Sequence, residues 1–250
     1  MDKRYIQLYS INEDVSKDFV GSLHRIADLG YTGVEFAGGF YGGLSAEDLT
    51  AALNKVGLEP LGTHVFSANA TEHIDFAVKA GLKYLIDPAA KLETYEDALA
   101  FSETLNTVGK KCKENGIIFG YHNHAHEFKE CKDGTLMDTL LINTDPDNVC
   151  FQLDVGWATY AGCDVLAFIK KYAGRFKLIH VKECSELTDD NKDDNKWNGP
   201  AGKGIIDWPA VVKASKAQGA DSFIIEREYD YCGDIYKCLK EDCGFLKNLA

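Results

Sequence analysis

Eight short apolar runs alternate with amphipathic helical stretches along this 250-residue chain, and few folds accommodate such a pattern. The runs are Tyr5–Tyr9, Gly33–Phe36, Glu59–Val65, Lys83–Ile86, Ile117–His124, Val149–Val155, Phe176–Lys182 and Ser222–Arg227. In the first helical stretch Phe19, Leu23 and Ile26, with Val20 and Ala27, fall on one face. From about Tyr95 to Asn115, Ala98, Phe101, Leu105, Val108 and Cys112 recur at the same spacing. Ser45 followed by Asp48 has the form of a helix N-cap with an acidic third residue. Gly30, Gly57, Gly81, Gly116 and Gly219 each stand shortly before a strand, where helices end in the left-handed conformation. A strand–helix unit repeated eight times predicts an α/β fold, a (β/α)₈ TIM barrel formed by residues 1–250 as a single domain. The rival is a doubly wound open sheet. No linker or compositional shift divides the chain, and 45% hydrophobic residues suffice for one large core.

In such a barrel the chemistry sits at the C-terminal ends of the strands. There the sequence places Glu35, His64, the stretch GYHNHAHEF with His122, His124, His126 and Glu127, then Asp154 and Trp157, His180 and Lys182, and Glu226 and Glu228. Alternate side chains of a strand face opposite ways. In the fifth run Ile117, Phe119 and Tyr121 suit packing under the helices, so Ile118, Gly120, His122 and His124 face the lumen. Asp154, His180 and Glu226 are each flanked by apolar neighbours, and charges in such positions are costly unless paired or bound to metal. Glu127, Asp154, His180 and Glu226 together offer three carboxylates and an imidazole. That donor set suits a divalent cation, Mn²⁺ first, with Mg²⁺, Co²⁺ or Zn²⁺ as alternatives. Cys150 is the one cysteine at inward parity, so a thiolate zinc site is not expected.

A cation chelated by sugar oxygens suits proton abstraction beside a carbonyl, because it polarises the C=O and stabilises the enediolate. His122, His124 and Glu226 are the candidate acid–base groups, with Lys182 as proton donor or alkoxide partner. Glu35, His64, Trp157 and Phe36 are expected around the substrate, the two aromatics stacking on a sugar face. His64 also reads as hydrogen-bonded scaffolding, His126 as solvent-facing, and Glu228 as a supporting or surface residue. Return of the proton to another face or carbon gives epimerisation or isomerisation, whereas loss of a β-substituent gives a lyase. A sugar-binding barrel without catalysis is the third reading.

The net charge of −12 disfavours nucleic acid and anionic membranes as partners, leaving a small sugar as ligand. Homo-oligomer and hetero-complex both stay open; Tyr229 and Tyr231 are aromatic surface that suits association. The eight cysteines include no C-x-x-C pair and no secretory pattern opens the chain, so reduced thiols and a cytoplasmic location are expected. No apolar run reaches the roughly 20 residues that span a bilayer. Residues 188–204, TDDNKDDNKWNGPAGKG, read as a long loop with a solvated acidic run and a Gly-rich end suited to a lid.

Seven segments carry a resemblance: IQLYS (6–10), YTGVEFAG (31–38), GYHNHAHEF (120–128), FQLDVGWATYAG (151–162), RFKLIHVKE (175–183), GKGIIDW (202–208) and FIIERE (223–228). With these the chain resembles the xylose-isomerase-like TIM barrel superfamily of sugar phosphate isomerases and epimerases, inosose dehydratases and, more distantly, apurinic endonucleases. The resemblance implies a Glu, Asp, His, Glu metal site mapping to Glu127, Asp154, His180 and Glu226. In the family's epimerases the strand-five ligand is a glutamate, often within E-N or E-x-x-N. Here that stretch is His122–Asn123 and the nearest carboxylate is Glu127, so the ligand stands open between Glu127 and a strand-five histidine. The HNH-x-x-E form is similar to the branch with dehydratases and enzymes that eliminate from 3-keto sugars, some with a partner subunit.

Overall fold

The computed structural model describes residues 1–193, 195–230 and 232–249, so Tyr231 lies outside the described residues. Eight parallel strands form the sheet: β1 Tyr5–Gln7, β2 Gly33–Phe36, β3 Glu59–His64, β4 Tyr84–Asp87, β5 Ile118–His122, β6 Val149–Asp154, β7 Phe176–Val181 and β8 Ser222–Ile225. Each pairs with its neighbours in chain order, and β8 returns to β1 through Tyr5↔Ile224 and Ile6↔Ile225. The sheet is therefore a closed barrel and not an open one. Each apolar run found in the sequence contains or overlaps one strand. The runs overshoot where the chain leaves for the outer helices: β1 ends at Gln7 and turns into a 3₁₀ segment, Leu8–Ile11. A short hairpin, Glu130–Cys131 with Gly134–Thr135, follows β5 and had no counterpart in the sequence reading.

The helices form where their apolar spacing and caps direct. Phe19–Asp28 buries Phe19, Leu23 and Ile26, while Val20 is exposed on its flank. Tyr95–Glu114 starts in a reciprocal capping box between Thr94 and Asp97. Ser45 caps Ala46–Val56 by accepting from the Asp48 N–H at 3.0 Å, and that helix ends at Gly57 with φ of 73°. Among the described residues no helix is long and apolar enough to cross a membrane.

Strand parity divides the core into two layers. The outer layer, between barrel and helices, holds Phe119, Tyr121, Phe151 and Ile179. The inner layer closes the bottom of the lumen with Tyr5, Leu61, Tyr84, Ile86, Cys150, Leu178 and Ile224. Gly120 belongs to this floor: a Cβ there would come within 2.8 Å of both Cys150 Sγ and Ile86 Cδ1. Phe36 corrects an expectation. Its neighbour Glu35 takes the inward position, so Phe36 packs outward against Phe19 (ring centroids 6.2 Å apart) and Tyr41 (5.3 Å), away from any substrate in the lumen.

The long loop after β7 is packed down. Trp197 is buried beside Trp157, with ring centroids 4.6 Å apart. Buried Glu183 accepts from the N–H groups of Cys184 and Gly202 and from Trp208 Nε1, at 3.0, 2.8 and 2.7 Å. One carboxylate thus ties both ends of the loop together.

Candidate metal centre

Above the floor the inward side chains change from apolar to charged. His122 at the end of β5, Asp154 at the end of β6, His180 in β7 and Glu226 just past β8 each present one donor atom, and the four atoms lie within 4.8 Å of one another. All four residues are buried. The register makes the cluster, since Asp154 stands beside His180 and Ile225 beside Val181.

Glu127 is not among the four. It lies on a 3₁₀ turn, His126–Phe128, and is fully buried. Its Oε1 accepts from Tyr121 Oη at 2.6 Å and its Oε2 from the His124 N–H at 2.9 Å. Tyr121 faces the outer layer, so it draws the carboxylate out of the lumen. Glu127 therefore fixes the loop that carries His124, and His122 stands where a strand-five glutamate was expected.

A buried layer orients the cluster. Glu35 accepts from Gln7 Nε2 at 2.8 Å, from Gln152 Nε2 at 2.7 Å and from His180 Nε2 at 2.8 Å. That last bond turns His180 Nδ1 toward Glu226, 3.2 Å away. With its amide so oriented, Gln152 presents Oε1 to His64 Nε2 at 2.8 Å and to His122 Nδ1 at 3.0 Å. The Nε2 of His122 is then the nitrogen left for the cluster, an outer-layer arrangement typical of ligating histidines. Asn123 accepts from the Asp154 N–H at 2.9 Å and locks the end of β6. Gln7 and Asn123 were missed in the sequence, because short amides within apolar runs carry no signal until their partners are known.

The donors fit a divalent cation on two observations. Asp154 Oδ1 accepts from the Trp157 N–H at 2.8 Å, but its buried Oδ2 has no hydrogen-bond partner. The site is also short of positive charge: Glu35, Asp154, Glu226 and Glu228 face a single lysine, Lys182. Lys182 Nζ lies 3.0 Å from Glu226, 3.1 Å from Glu228 and 3.6 Å from Asp154, under the ring of Trp157. Burial would raise Glu226, yet Lys182 and His180 hold it well below the usual carboxylate range. Burial pushes Asp154 up to about 6 and also raises Glu228. Burial lowers His122 well below the ordinary imidazole value and His124 to about 4. Burial opposes protonation of His180 as well, but Glu226 and Glu35 outweigh it and push its pKa up to about 10. A proton on His180 is the chain's own partial answer to a charge deficit that a divalent ion would fill.

A cavity of ≈ 310 Å³ opens over the cluster, lined by His64, His122, His124, Glu226 and Glu228, with Tyr9 and Phe66 at its edge. The structure thus brings together His64, His122, His124, Asp154, His180 and Glu226, with Lys182 behind Glu226. Glu35 supports the cluster from below. Trp157 packs on Lys182 and against His124 (5.5 Å between centroids), holding both. Phe66 was missed, although an aromatic directly after a strand end is the signal that could have found it.

Residues 23–249 match the family described as xylose isomerase-like TIM barrel. Among curated proteins, inosose dehydratase from Lacticaseibacillus casei is 30% identical over 137 residues, covering 50% of this chain and 45% of that protein, so the match spans less than half its length. Among solved structures, a sugar phosphate isomerase/epimerase from Parabacteroides distasonis superposes with a TM-score of 0.84 at 26% identity, over 99% of this chain and 94% of that one. The IOLI protein with a binding zinc atom shares the fold, with a TM-score of 0.79 at 15% identity over 99% of this chain and 97% of that one. The relatives therefore carry names of more than one sugar reaction.

Proposed function

Since this chain belongs to the xylose isomerase-like TIM barrel family, we propose that it is a metal-dependent isomerase or epimerase of a ketose or keto-sugar that works by proton abstraction beside the carbonyl. One observation carries the reading: ionisable groups outside the four candidate ligands line the same cavity from two separate walls, His124 after β5 and Glu228 after β8, with Lys182 buried behind Glu228. Epimerisation, which returns the proton to the opposite face of the carbon, needs an acid–base group on each side of the substrate, and isomerisation between adjacent carbons can use one of the two.

His122, Asp154, His180 and Glu226 would hold a divalent cation, Mn²⁺ in the first instance. Such a cation supplies Lewis acidity at a carbonyl and compensates the charge of an enediolate. The chain's own residues do the rest. Glu226, held ionised beside Lys182, is positioned to accept a proton from carbon. His124 is the acid–base group of the opposite wall, its ring steadied by Trp157 and its Nδ1 buried without a partner. Lys182 is placed to donate to an oxygen at the β8 side. Glu35 and Gln152 keep the imidazoles in their orientations. Phe66 and Tyr9 limit access of water at the edge of the cavity.

A second reading rests on the Lys182–Glu228 pair, an acid beside the cavity suited to a departing hydroxyl or alkoxide; it makes the enzyme a lyase of an inosose or a 3-keto-glycoside. Ketoses, inososes and 3-keto-glycosides incubated with the Mn²⁺-loaded protein in D₂O and followed by NMR separate the readings. Deuterium at the α-carbon with the substituents retained is the expected result. An ultraviolet-absorbing enone or a released aglycone establishes the lyase, and no exchange in any of the three classes overturns both.

A further inference from the structure

Two features of the barrel mouth narrow the substrate class. The first is its charge. Among the described residues lining the cavity over the cluster there is no lysine or arginine, while Glu226 and Glu228 are present. Lys182, behind them, is already shared among three carboxylates. A divalent ion at the centre matches Asp154 and Glu226 in charge, which leaves Lys182 against Glu228 and Glu35 and nothing for a dianion. Past Phe66, Lys91 is paired with Glu93 at 3.1 Å. On the other side of Tyr9 a cleft carries Glu13, Asp14 and Asp230; the one lysine or arginine among its described lining residues, Arg227, is bound to Asp242 and to the Asn198 carbonyl. A phosphate group would meet a negative field with no free partner.

The second feature is apolar. Tyr9, Phe40 and Phe66 are 50%, 45% and 56% exposed, and they are the large aromatics that stand out into solvent among the described residues. All three lie at the mouth, after β1, β2 and β3. Tyr9 and Phe40 belong to a second cavity of ≈ 300 Å³ with Leu8, Val15, Ala37 and Gly38. That cavity shares Tyr9, Ala37 and Gly38 with the one over the cluster. Exposed aromatic surface that is concave and continuous with a reaction cavity suits a ligand's apolar portion.

We propose, on the sugar-converting reading above, that the substrate is an unphosphorylated sugar bearing an apolar substituent, and that the substituent lies in the cavity between Tyr9 and Phe40. The sugar ring occupies the cavity over the cluster, and its substituent crosses the shared wall formed by Ala37 and Gly38. Gly38, at φ of 63°, borders open space there: a Cβ at this position would meet nothing within 4 Å.

The test is equilibrium binding to the Mn²⁺-loaded full chain, by calorimetry and saturation-transfer NMR. The probes are methyl and phenyl glycosides of glucose, galactose and xylose, with the 6-phosphates of the two hexoses. At least one phenyl glycoside is expected to bind about tenfold or more tighter than its methyl counterpart, from burial of the ring. Its ring protons should receive saturation, and the phosphates should bind more weakly than the parent sugars. Phe40→Ala and the milder Phe40→Leu should shrink the phenyl-to-methyl ratio. A phosphate that binds more tightly than its parent sugar overturns the proposal and leaves the sugar reading standing, as does a phenyl preference that survives both Phe40 variants. A rim that instead seats a second copy shows a dimer abolished by Phe40→Asp, with phenyl and methyl glycosides bound alike, which also overturns it. Failure of every probe overturns this proposal, while the exchange experiment on carbonyl-bearing sugars decides the sugar-converting reading separately.

Discussion

The floor and the mouth of the barrel are built from the same strands and follow opposite physics. At the floor Tyr84, Ile86, Leu178 and Ile224 meet in an apolar plug, and the hydroxyls of its two tyrosines, Tyr5 and Tyr84, reach down to Glu59 and Asp221 at the lower rim. Two residues further along the same strands, His180 follows Leu178 and Glu226 follows Ile224 in the inward positions. A step of two residues is about 7 Å. Across that distance the lumen passes from side chains that stabilise by leaving water to side chains that lose hydration and recover it only from each other. The barrel is thus stabilised from below and destabilised from above. The upper residues stand in their places because the lower ones hold the strands.

The largest expected contrast comes from one change at each level. Glu226→Gln should lower turnover by about 10²–10⁴-fold, as for loss of a positioned acid–base group. It should leave the unfolding midpoint of the metal-free protein unchanged or higher, because carboxylates are in excess at the mouth. Lys182 keeps Glu228 and Asp154, and His180 keeps Glu35, so no cation is orphaned. Leu178→Ala should do the reverse. It removes about 2–5 kcal/mol of stability while the folded fraction keeps near wild-type turnover. Paired denaturant titrations and rate measurements decide this. If Glu226→Gln proves as unstable as Leu178→Ala, the mouth is a structural charge network and the division is wrong.

Much of this division was legible in the sequence, because strand parity is a local property. Apolar runs located all eight strands, and alternation alone turned His122, His180 and Glu226 inward. The same rule, applied strictly, excludes Phe36 from the lumen, since it cannot share a face with Glu35. Glu127 was not legible. Its position depends on a 3₁₀ turn and on the hydroxyl of Tyr121, a residue that parity sends outward. Nor was the role of Glu183, whose donors come from a loop folded back over some twenty-five positions. The apolar rim at Tyr9, Phe40 and Phe66 escaped for a similar reason: exposure is set by what fails to cover a residue, which no local pattern encodes.

Glu183 sharpens the comparison because it sits at mouth level and does the work of the floor. Its carboxylate is surrounded by donors, so Glu183→Gln points an amide N–H₂ at groups that themselves donate. A loss of about 1–3 kcal/mol follows from leaving buried donors unmet. Limited proteolysis should show earlier cleavage within residues 184–207, with the metal content of the intact protein unchanged. Loss of the metal with the loop still protected would move Glu183 into the ion's own site.

The smallest effect tests whether charge outside the mouth behaves differently from charge within it. Asp138, in the outer helix Leu136–Asn143, closes a capping box with Thr135 and accepts from Lys171 Nζ at 2.7 Å. Burial would raise its carboxyl, but Lys171, Tyr172 and Thr135 together hold it below the usual range. A depressed carboxyl contributes stability above its unfolded value, near 4. That contribution disappears as pH falls through the lower folded value. Asp138→Asn should therefore cost about 1 kcal/mol at neutral pH, as for loss of a cap. The gap to wild type should hold down to about pH 5 and then narrow through the acid range. The protonating carboxylates of the mouth are common to both proteins and distant enough to cancel in the difference. Urea titrations of the pair at neutral pH and near pH 3 measure it. A gap that stays constant or widens in acid would show that Asp138 stabilises without its charge, and the outer shell would then be no more electrostatic than the floor.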